Sequence, residues 1–83
     1  MSKASKYVAL EKQALEIEFG ILETLIKNRK AANISQANLG EMCGMLQPAL
    51  GRIEGKKISP SIRTLLKILI PLGYTLKIEK LKK

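Results

Sequence analysis

The side chains best suited to chemistry lie in one short stretch, residues 34–54. The pattern of apolar residues predicts two short amphipathic helices there, joined by a tight turn at Gly44. The apolar residues of the second helix point inwards, which leaves Gln47 and Arg52 on or near its outer face. The amide of Gln donates and accepts hydrogen bonds and the guanidinium of Arg donates them, which matches the groups on base edges. The stretch is therefore suited to placing a few side chains against a DNA groove.

No catalytic arrangement accompanies these residues. The chain has no His and a single cysteine, Cys43, whose apolar helix position indicates a buried thiol rather than a nucleophile. The residue pairs of nucleophilic catalysis and clusters of zinc ligands are both missing from the sequence. We expect no enzyme activity, no metal site and no cofactor.

Length and composition favour one small helical domain. The chain has 83 residues, of which 46% are apolar, and no Trp, so Leu, Ile, Ala and Met must build the core.

The net charge of +8 predicts attraction to a phosphate polymer or to an anionic membrane surface, and a basic surface without a partner is the alternative. The longest apolar run, residues 68–72, is too short to span a bilayer, and no signal sequence follows the basic residues 1–7. We expect a cytoplasmic protein.

The single domain, residues 1–83, divides into three segments. Residues 1–30 form an N-terminal helical segment, in which Gly20 leaves open whether there is one helix or two. Residues 31–73 form the helix-turn-helix core, with an N-cap at Ser35 and a last helix that starts at Ser59–Pro60. Leu39, Met42 and Cys43 are predicted to face inwards.

Residues 74–83 form a C-terminal strand and a basic tail. Apolar and polar residues alternate from Tyr74 onwards, with Leu76 and Ile78 on one face. A strand needs a hydrogen-bonded partner, and the sequence offers no second strand. We therefore predict that Tyr74, Leu76 and Ile78 pair with the same strand of a second copy, giving a homodimer.

The chain resembles DNA-binding proteins of the Cro/repressor, or XRE, helix-turn-helix family. The resemblance covers roughly residues 21–73 and extends over the whole chain to antitoxins of the HigA type. The segments that carry the helix-turn-helix resemblance are Ser35-Gln36, Leu39-Gly40, Gly44, Gln47, Arg52-Ile53-Glu54 and Ser59-Pro60-Ser61. The segments that carry the HigA resemblance are residues 18–26, Arg29-Lys30-Ala31, Arg52-Ile53-Glu54-Gly55, residues 59–65 and Leu72-Gly73-Tyr74. The resemblance implies an all-α, lambda-repressor-like bundle of four or five helices, with a C-terminal β-strand that pairs across a homodimer.

The resemblance also implies roles for individual residues on double-stranded operator DNA. Gln47, Pro48, Ala49 and Arg52 would read bases, with Gln47 matching the adenine edge. The phosphate contacts would come from Gln36, Arg29, Lys56 and Lys57. Arg29 and Glu54 would form a structural pair. Three departures from the family pattern are Leu46, where a capping Ser or Thr is usual, Gly51, which weakens the helix, and Lys56, where Gly is frequent.

The function implied is that of a transcriptional repressor that also neutralises a small RNase toxin of RelE/HigB type. The toxin would dock on the N-terminal helix, at Tyr7, Leu10, Leu15 and Phe19, although core packing and dimerisation are equal alternatives for this apolar face. A stand-alone Cro/repressor-type regulator without a toxin partner is the alternative for the protein as a whole.

Overall fold

The computed structural model describes the backbone of residues 3–81 and the side chains of residues 7–81. Within residues 3–81 four α-helices follow one another: α1 (Lys3–Ala31), α2 (Gln36–Cys43), α3 (Gln47–Glu54) and α4 (Ile62–Leu69). A single 3-10 turn, Ile70–Leu72, follows α4 directly. The predicted helical bundle with a helix-turn-helix unit is therefore confirmed.

Helix α1 is continuous over 29 residues, so the N-terminal segment is one helix rather than two. Its two halves have different surroundings. Every side chain of residues 7–17 is exposed, whereas Leu22 and Leu25 in the second half are each 1% exposed. Only the second half packs on the bundle, and the first half extends beyond it.

Gly20 lies within α1 at a place where a larger side chain would fit. A Cβ atom added there would have no neighbour within 4 Å. Since glycine in a helix interior costs about 1 kcal/mol relative to alanine, we expect Gly20→Ala to stabilise the protein. For a domain of this size, 1 kcal/mol raises Tm by roughly 4–8 °C. Thermal unfolding followed by circular dichroism measures the shift, and a lower Tm would show that the glycine has a packing role.

The core lies between the second half of α1 and the three short helices. Its most deeply buried side chains are aliphatic, and each contributes about 1.5–3 kcal/mol of burial free energy. They are Leu22, Leu25, Leu39, Leu50 and Ile68, joined by Ile53, Leu65 and Leu69. Helix α2 contacts both α3 and α4, so the helix-turn-helix unit is fixed from two sides.

Helix ends in the bundle are set by local hydrogen bonds. The Ser35 Oγ accepts from the backbone N–H of Asn38 at 3.0 Å, which confirms the predicted N-cap of α2. The last helix begins later than predicted, because its N-cap is Ser61, whose Oγ accepts from the Thr64 N–H at 3.1 Å. The predicted start at Ser59–Pro60 is therefore wrong.

The turn between α2 and α3 depends on two glycines. Gly44 has a φ of 70° and ends α2 in the left-handed conformation that glycine adopts without strain. A Cβ atom on Gly40 would lie 2.4 Å from the carbonyl oxygen of Met45, so the turn passes directly over this glycine. Met42 was predicted to face inwards but is 49% exposed, because only Leu39 and Gly40 of α2 are buried.

The described part of the C-terminal segment, residues 74–81, contains no strand. This corrects the predicted β-strand, and the physical reason is that a lone extended segment has no ladder partner within its own chain. Leu76 is half-buried against the core of its own chain, whereas Ile78 is fully exposed. The two residues therefore do not share a face in the single chain.

Candidate nucleic-acid interface

Helix α3 presents one apolar face to the core and one polar face to solvent. Leu50 and Ile53 are buried, 0% and 2% exposed, and hold the helix on the bundle. On the other side Gln47, Pro48 and Arg52 are exposed, and Ala49 is half-buried. The four predicted base-reading residues are thus brought together on one helix of eight residues.

The start of α3 lacks a side-chain cap. Leu46 occupies the N-cap position, makes no capping hydrogen bond and is 80% exposed. Proline in the first turn partly compensates, because it has no N–H that needs a partner there. Within this turn the backbone N–H of Ala49 donates to the Leu46 carbonyl at 3.0 Å, and the N–H of Leu50 donates to the same oxygen at 3.2 Å.

Arg29 and Glu54 form a bidentate ion pair inside the bundle. The Arg29 Nε donates to Glu54 Oε2 at 2.7 Å, and its Nη2 donates to Oε1 at 2.9 Å. The Nη1 donates to the carbonyl of Ile34 at 2.8 Å. Each residue of the pair is only 7% exposed. This geometry gives Arg29 a structural role and does not favour the phosphate contact predicted for it.

Two glutamines extend this pair to the surface. The Gln36 Nε2 donates to Glu54 Oε1 at 2.9 Å, and the Gln36 Oε1 accepts from the Gln47 Nε2 at 2.9 Å. The side chains of the predicted phosphate contact and of the predicted adenine contact therefore touch each other. The spacing of residues along the sequence did not predict this connection. Gln36 lies at the start of α2, whereas Gln47 and Glu54 lie at opposite ends of α3.

Lys56 and Lys57 have different surroundings although they are adjacent. The Lys56 Nζ lies 2.6 Å from Glu23 Oε1 and 5.2 Å from the centre of the Phe19 ring. Both partners belong to α1, so Lys56 joins the loop after α3 to that helix. Lys57 is exposed. Of the two lysines predicted to bind phosphate, Lys57 is the better placed.

The pKa of Glu23 reports on this contact. The hydrogen bond and the positive charge of Lys56 hold the pKa of the Glu23 carboxyl below its usual value. A lowered pKa in the folded state means that the contact stabilises the fold above the ordinary Glu pKa, and that this contribution is lost as pH falls towards the lowered value. We expect Lys56→Met to return the Glu23 pKa to its ordinary range. An NMR titration that detects carboxyl groups measures the Glu23 pKa in the wild type and in Lys56→Met. Equal values in the two proteins would contradict the contact between Lys56 and Glu23.

The residues predicted to bind a toxin fall into two groups. Tyr7, Leu10 and Leu15 are exposed, by 64%, 64% and 44% respectively, on the half of α1 that extends beyond the bundle. Phe19 is half-buried, packs on the core and lies under Lys56. Three of the four therefore lie exposed on the half of α1 that extends beyond the bundle, and Phe19 does not.

Other kinds of site are missing from the described residues. Among residues 3–81 no three His, Cys, Asp or Glu side chains come together in a way that could hold a metal ion. In the same part of the chain no helix is long and apolar enough to cross a membrane.

Comparisons with known proteins agree with this geometry. A family model described as helix-turn-helix matches residues 25–78. A Haemophilus influenzae protein named as an uncharacterised HTH-type transcriptional regulator is 39% identical over 66 residues, which are 80% of this chain and 67% of that protein. The chain belongs to the helix-turn-helix family. It is therefore a transcriptional regulator with a helix-turn-helix DNA-binding domain, a class generally without enzyme activity.

A solved structure is similar over nearly the whole chain. It is described as a toxin–antitoxin module from Streptococcus pneumoniae and superimposes with a TM-score of 0.71 at 36% sequence identity. The match covers 99% of this chain and 84% of the other chain. The extended first half of α1 is therefore included in the similarity, and not only the helix-turn-helix core.

Proposed function

We propose that the protein is a sequence-specific transcriptional repressor that inserts α3 into the major groove of its operator. The observation that carries this proposal is the exposed row of Gln47, Pro48 and Arg52 on a helix whose opposite face is locked into the core. In helix-turn-helix proteins the second helix of the unit lies in the groove with its N-terminal residues at the base edges. Repression would follow from occupancy of the operator.

Base reading and phosphate binding are assigned to different residues. Arg52 would contact guanine, Gln47 adenine, and Pro48 and Ala49 a thymine methyl group. Lys57 would bind a phosphate, which fixes the register on DNA without reading its sequence. Most of the affinity would come from charge and would fall steeply with salt.

The experiment compares Arg52→Ala with Lys57→Ala. We expect Arg52→Ala to cost about 1–3 kcal/mol on the preferred operator and to relax the preference at one position of each half-site. We expect Lys57→Ala to weaken specific and random DNA equally and to reduce the salt slope by about one. Fluorescence anisotropy at several salt concentrations gives both quantities. Equal losses on specific and random DNA for Arg52→Ala would remove it from the base-reading residues.

We propose that the protein acts as a homodimer. The C-terminal segment from Tyr74 onwards has exposed apolar side chains, of which Ile78 is completely exposed, and backbone groups that a second copy could pair with. A two-fold axis would place the two α3 helices about 34 Å apart, one turn of DNA, on a palindromic site. Leu76 packs on the core of its own chain, so it would hold the segment in place and would not itself contact the second copy.

A second candidate function is that of an antitoxin, favoured by the free half of α1. Exposed apolar residues along this half include Tyr7, Val8, Leu10, Leu15 and Ile17. A concentration of exposed apolar side chains of this kind is typical of a protein-interaction site. Together with the toxin–antitoxin structure described above, it supports docking of a small RNase toxin of RelE/HigB type by a HigA-type, cytoplasmic antitoxin.

Co-expression with the product of the adjacent gene tests this function without DNA. We expect the two proteins to purify together and Leu10→Lys to abolish the complex while leaving the helical circular dichroism spectrum unchanged. The matched control is Glu16→Lys, which is exposed on the opposite side of the same half of α1. Purification of the chain as a homodimer alone from co-expressing cells would favour the stand-alone regulator.

A further inference from the structure

The inward line of α1 continues into the half of the helix that extends beyond the bundle. Leu22 and Leu25, each 1% exposed, mark the side that packs on the core. Because seven residues make almost two turns of an α-helix, the positions seven and fourteen residues before Leu25 lie on nearly the same line. These positions are Glu18, half-buried at the edge of the bundle, and Glu11, exposed beyond it. The line that is aliphatic inside the bundle is therefore acidic outside it.

Both carboxylates lie among apolar side chains. On a helix surface the neighbours of a residue are three and four positions away. For the two glutamates all of these neighbours are aliphatic or aromatic, and they are Tyr7, Val8, Ala14, Leu15, Ile21 and Leu22. Among residues 7–81 the ion pairs involve Glu23 and Glu54, and neither Glu11 nor Glu18 has one. This face of α1 therefore has an apolar surface with two acidic groups in its middle.

The opposite side of this half is polar, and it carries the only cation of residues 7–18. That cation is Lys12, and Gln13 and Glu16 lie on the same side. Two copies of the chain that packed these halves together by their apolar faces would bury each carboxylate against an apolar side chain or against another carboxylate. A buried carboxylate without a cationic partner strongly weakens an interface. The same half of a second copy is therefore a poor occupant of this face.

The face fits a partner that supplies a pair of cations. Glu11 and Glu18 are seven residues apart, which is about 10.5 Å along the helix axis at 1.5 Å per residue. An apolar surface with two Arg or Lys side chains at this spacing would cover Leu10 and Leu15 and would pair with both carboxylates. The two ion pairs would then add specificity to the affinity that comes from apolar burial.

We propose that Glu11 and Glu18 make the exposed half of α1 selective for a basic protein partner and keep it from pairing with the same half of a second copy. The inference rests on the candidate function as an antitoxin, which places a partner protein on this half. It adds the chemistry that the partner's surface must have. It also assigns homodimerisation to another part of the chain.

Replacing both glutamates with glutamine tests the ion pairs, because Glu11→Gln with Glu18→Gln removes two charges and keeps the size of the side chains. The probe is the purified product of the adjacent gene, and isothermal titration calorimetry gives its Kd at low and at high salt. We expect Kd at low salt to rise about thirtyfold or more and to depend less on salt than in the wild type. The matched control is Glu16→Gln, which removes a charge from the polar side and should leave Kd unchanged.

Replacing both glutamates with leucine tests the exclusion of a second copy. Glu11→Leu with Glu18→Leu makes the middle of the face apolar, so that two copies can bury it against each other. We expect this variant to form a larger assembly than the wild type in sedimentation equilibrium at the same protein concentration. Glu16→Leu, on the polar side, should keep the mass of the wild-type assembly.

An unchanged Kd in the glutamine variant would overturn the inference. An equal loss of affinity in Glu16→Gln would overturn it too, because that is a general effect of charge. The inference also fails if the leucine variant keeps the wild-type mass, or if a wild-type dimer dissociates in Leu10→Lys. A wild-type protein that does not bind the product of the adjacent gene would instead overturn the antitoxin function, and sedimentation would still decide whether the carboxylates exclude a second copy.

Discussion

Replacing Glu54 with Ala is expected to remove a large part of the protein's free energy of unfolding. The substitution leaves the Arg29 guanidinium, 7% exposed, without its bidentate partner inside the bundle. Removing one member of a buried ion pair costs about 3–5 kcal/mol. Domains as a class have about 5–15 kcal/mol of stability, and small ones lie towards the lower limit. Urea titration followed by circular dichroism measures the loss.

Two further variants show whether the loss of stability comes from leaving the Arg29 charge buried without a partner or from removing any glutamate. Glu41→Ala removes an exposed carboxylate from α2, and surface changes of this kind usually stay within about 0.5 kcal/mol. Replacing both partners, as Arg29→Met with Glu54→Leu, should recover much of the stability, since an apolar pair leaves no charge buried. A loss below about 1 kcal/mol for Glu54→Ala would contradict a structural role for the pair.

Gly40→Ala is expected to have the second-largest effect, because it acts on the turn that orients α3. The added Cβ atom would lie 2.4 Å from the backbone carbonyl oxygen of Met45, so the turn must move. Overpacking of this kind costs about 1–3 kcal/mol and sometimes more. A shifted turn would also displace α3 relative to α2, so specific DNA binding should fall by more than the loss of stability explains.

Gly51→Ala is the matched control on the neighbouring helix. Its nearest contact would be the Gln36 Oε1 at 3.6 Å, an ordinary van der Waals distance. Since alanine is favoured over glycine inside helices by about 1 kcal/mol, this variant should be more stable than the wild type. Thermal unfolding of both variants gives the comparison. Equal effects of the two substitutions would show that the turn does not pass as closely over Gly40 as described.

Local patterns were sufficient to predict the helix-turn-helix unit. The Ser35 cap, the glycine at position 44 and the spacing of Leu39, Leu50 and Ile53 each have a local physical cause, and each has the predicted place in the structure. The Arg29–Glu54 pair was expected only through family resemblance. Its burial and its extension to Gln36 are tertiary properties that no spacing along the chain encodes.

The predictions were wrong where a secondary-structure element depends on contacts with residues far from it in the sequence or in another chain. The alternation from Tyr74 onwards predicts a strand, but a strand also requires a partner, and the described residues 74–81 have none within the chain. The phosphate contact that the family resemblance implies for Lys56 stays a prediction. The contacts of Lys56 with Glu23 and Phe19 could not be predicted, because they depend on how the loop folds back on α1.

The central claim is that the exposed face of α3 reads a DNA sequence, and selection from a random duplex pool tests it most directly. We predict that the purified protein enriches two inverted half-sites about one helical turn apart, bound roughly 10³-fold or more tightly than random DNA at physiological salt. Arg52→Ala should enrich a site relaxed at one position of each half. A pool that acquires no common sequence, with equal affinity for every duplex, would contradict the account.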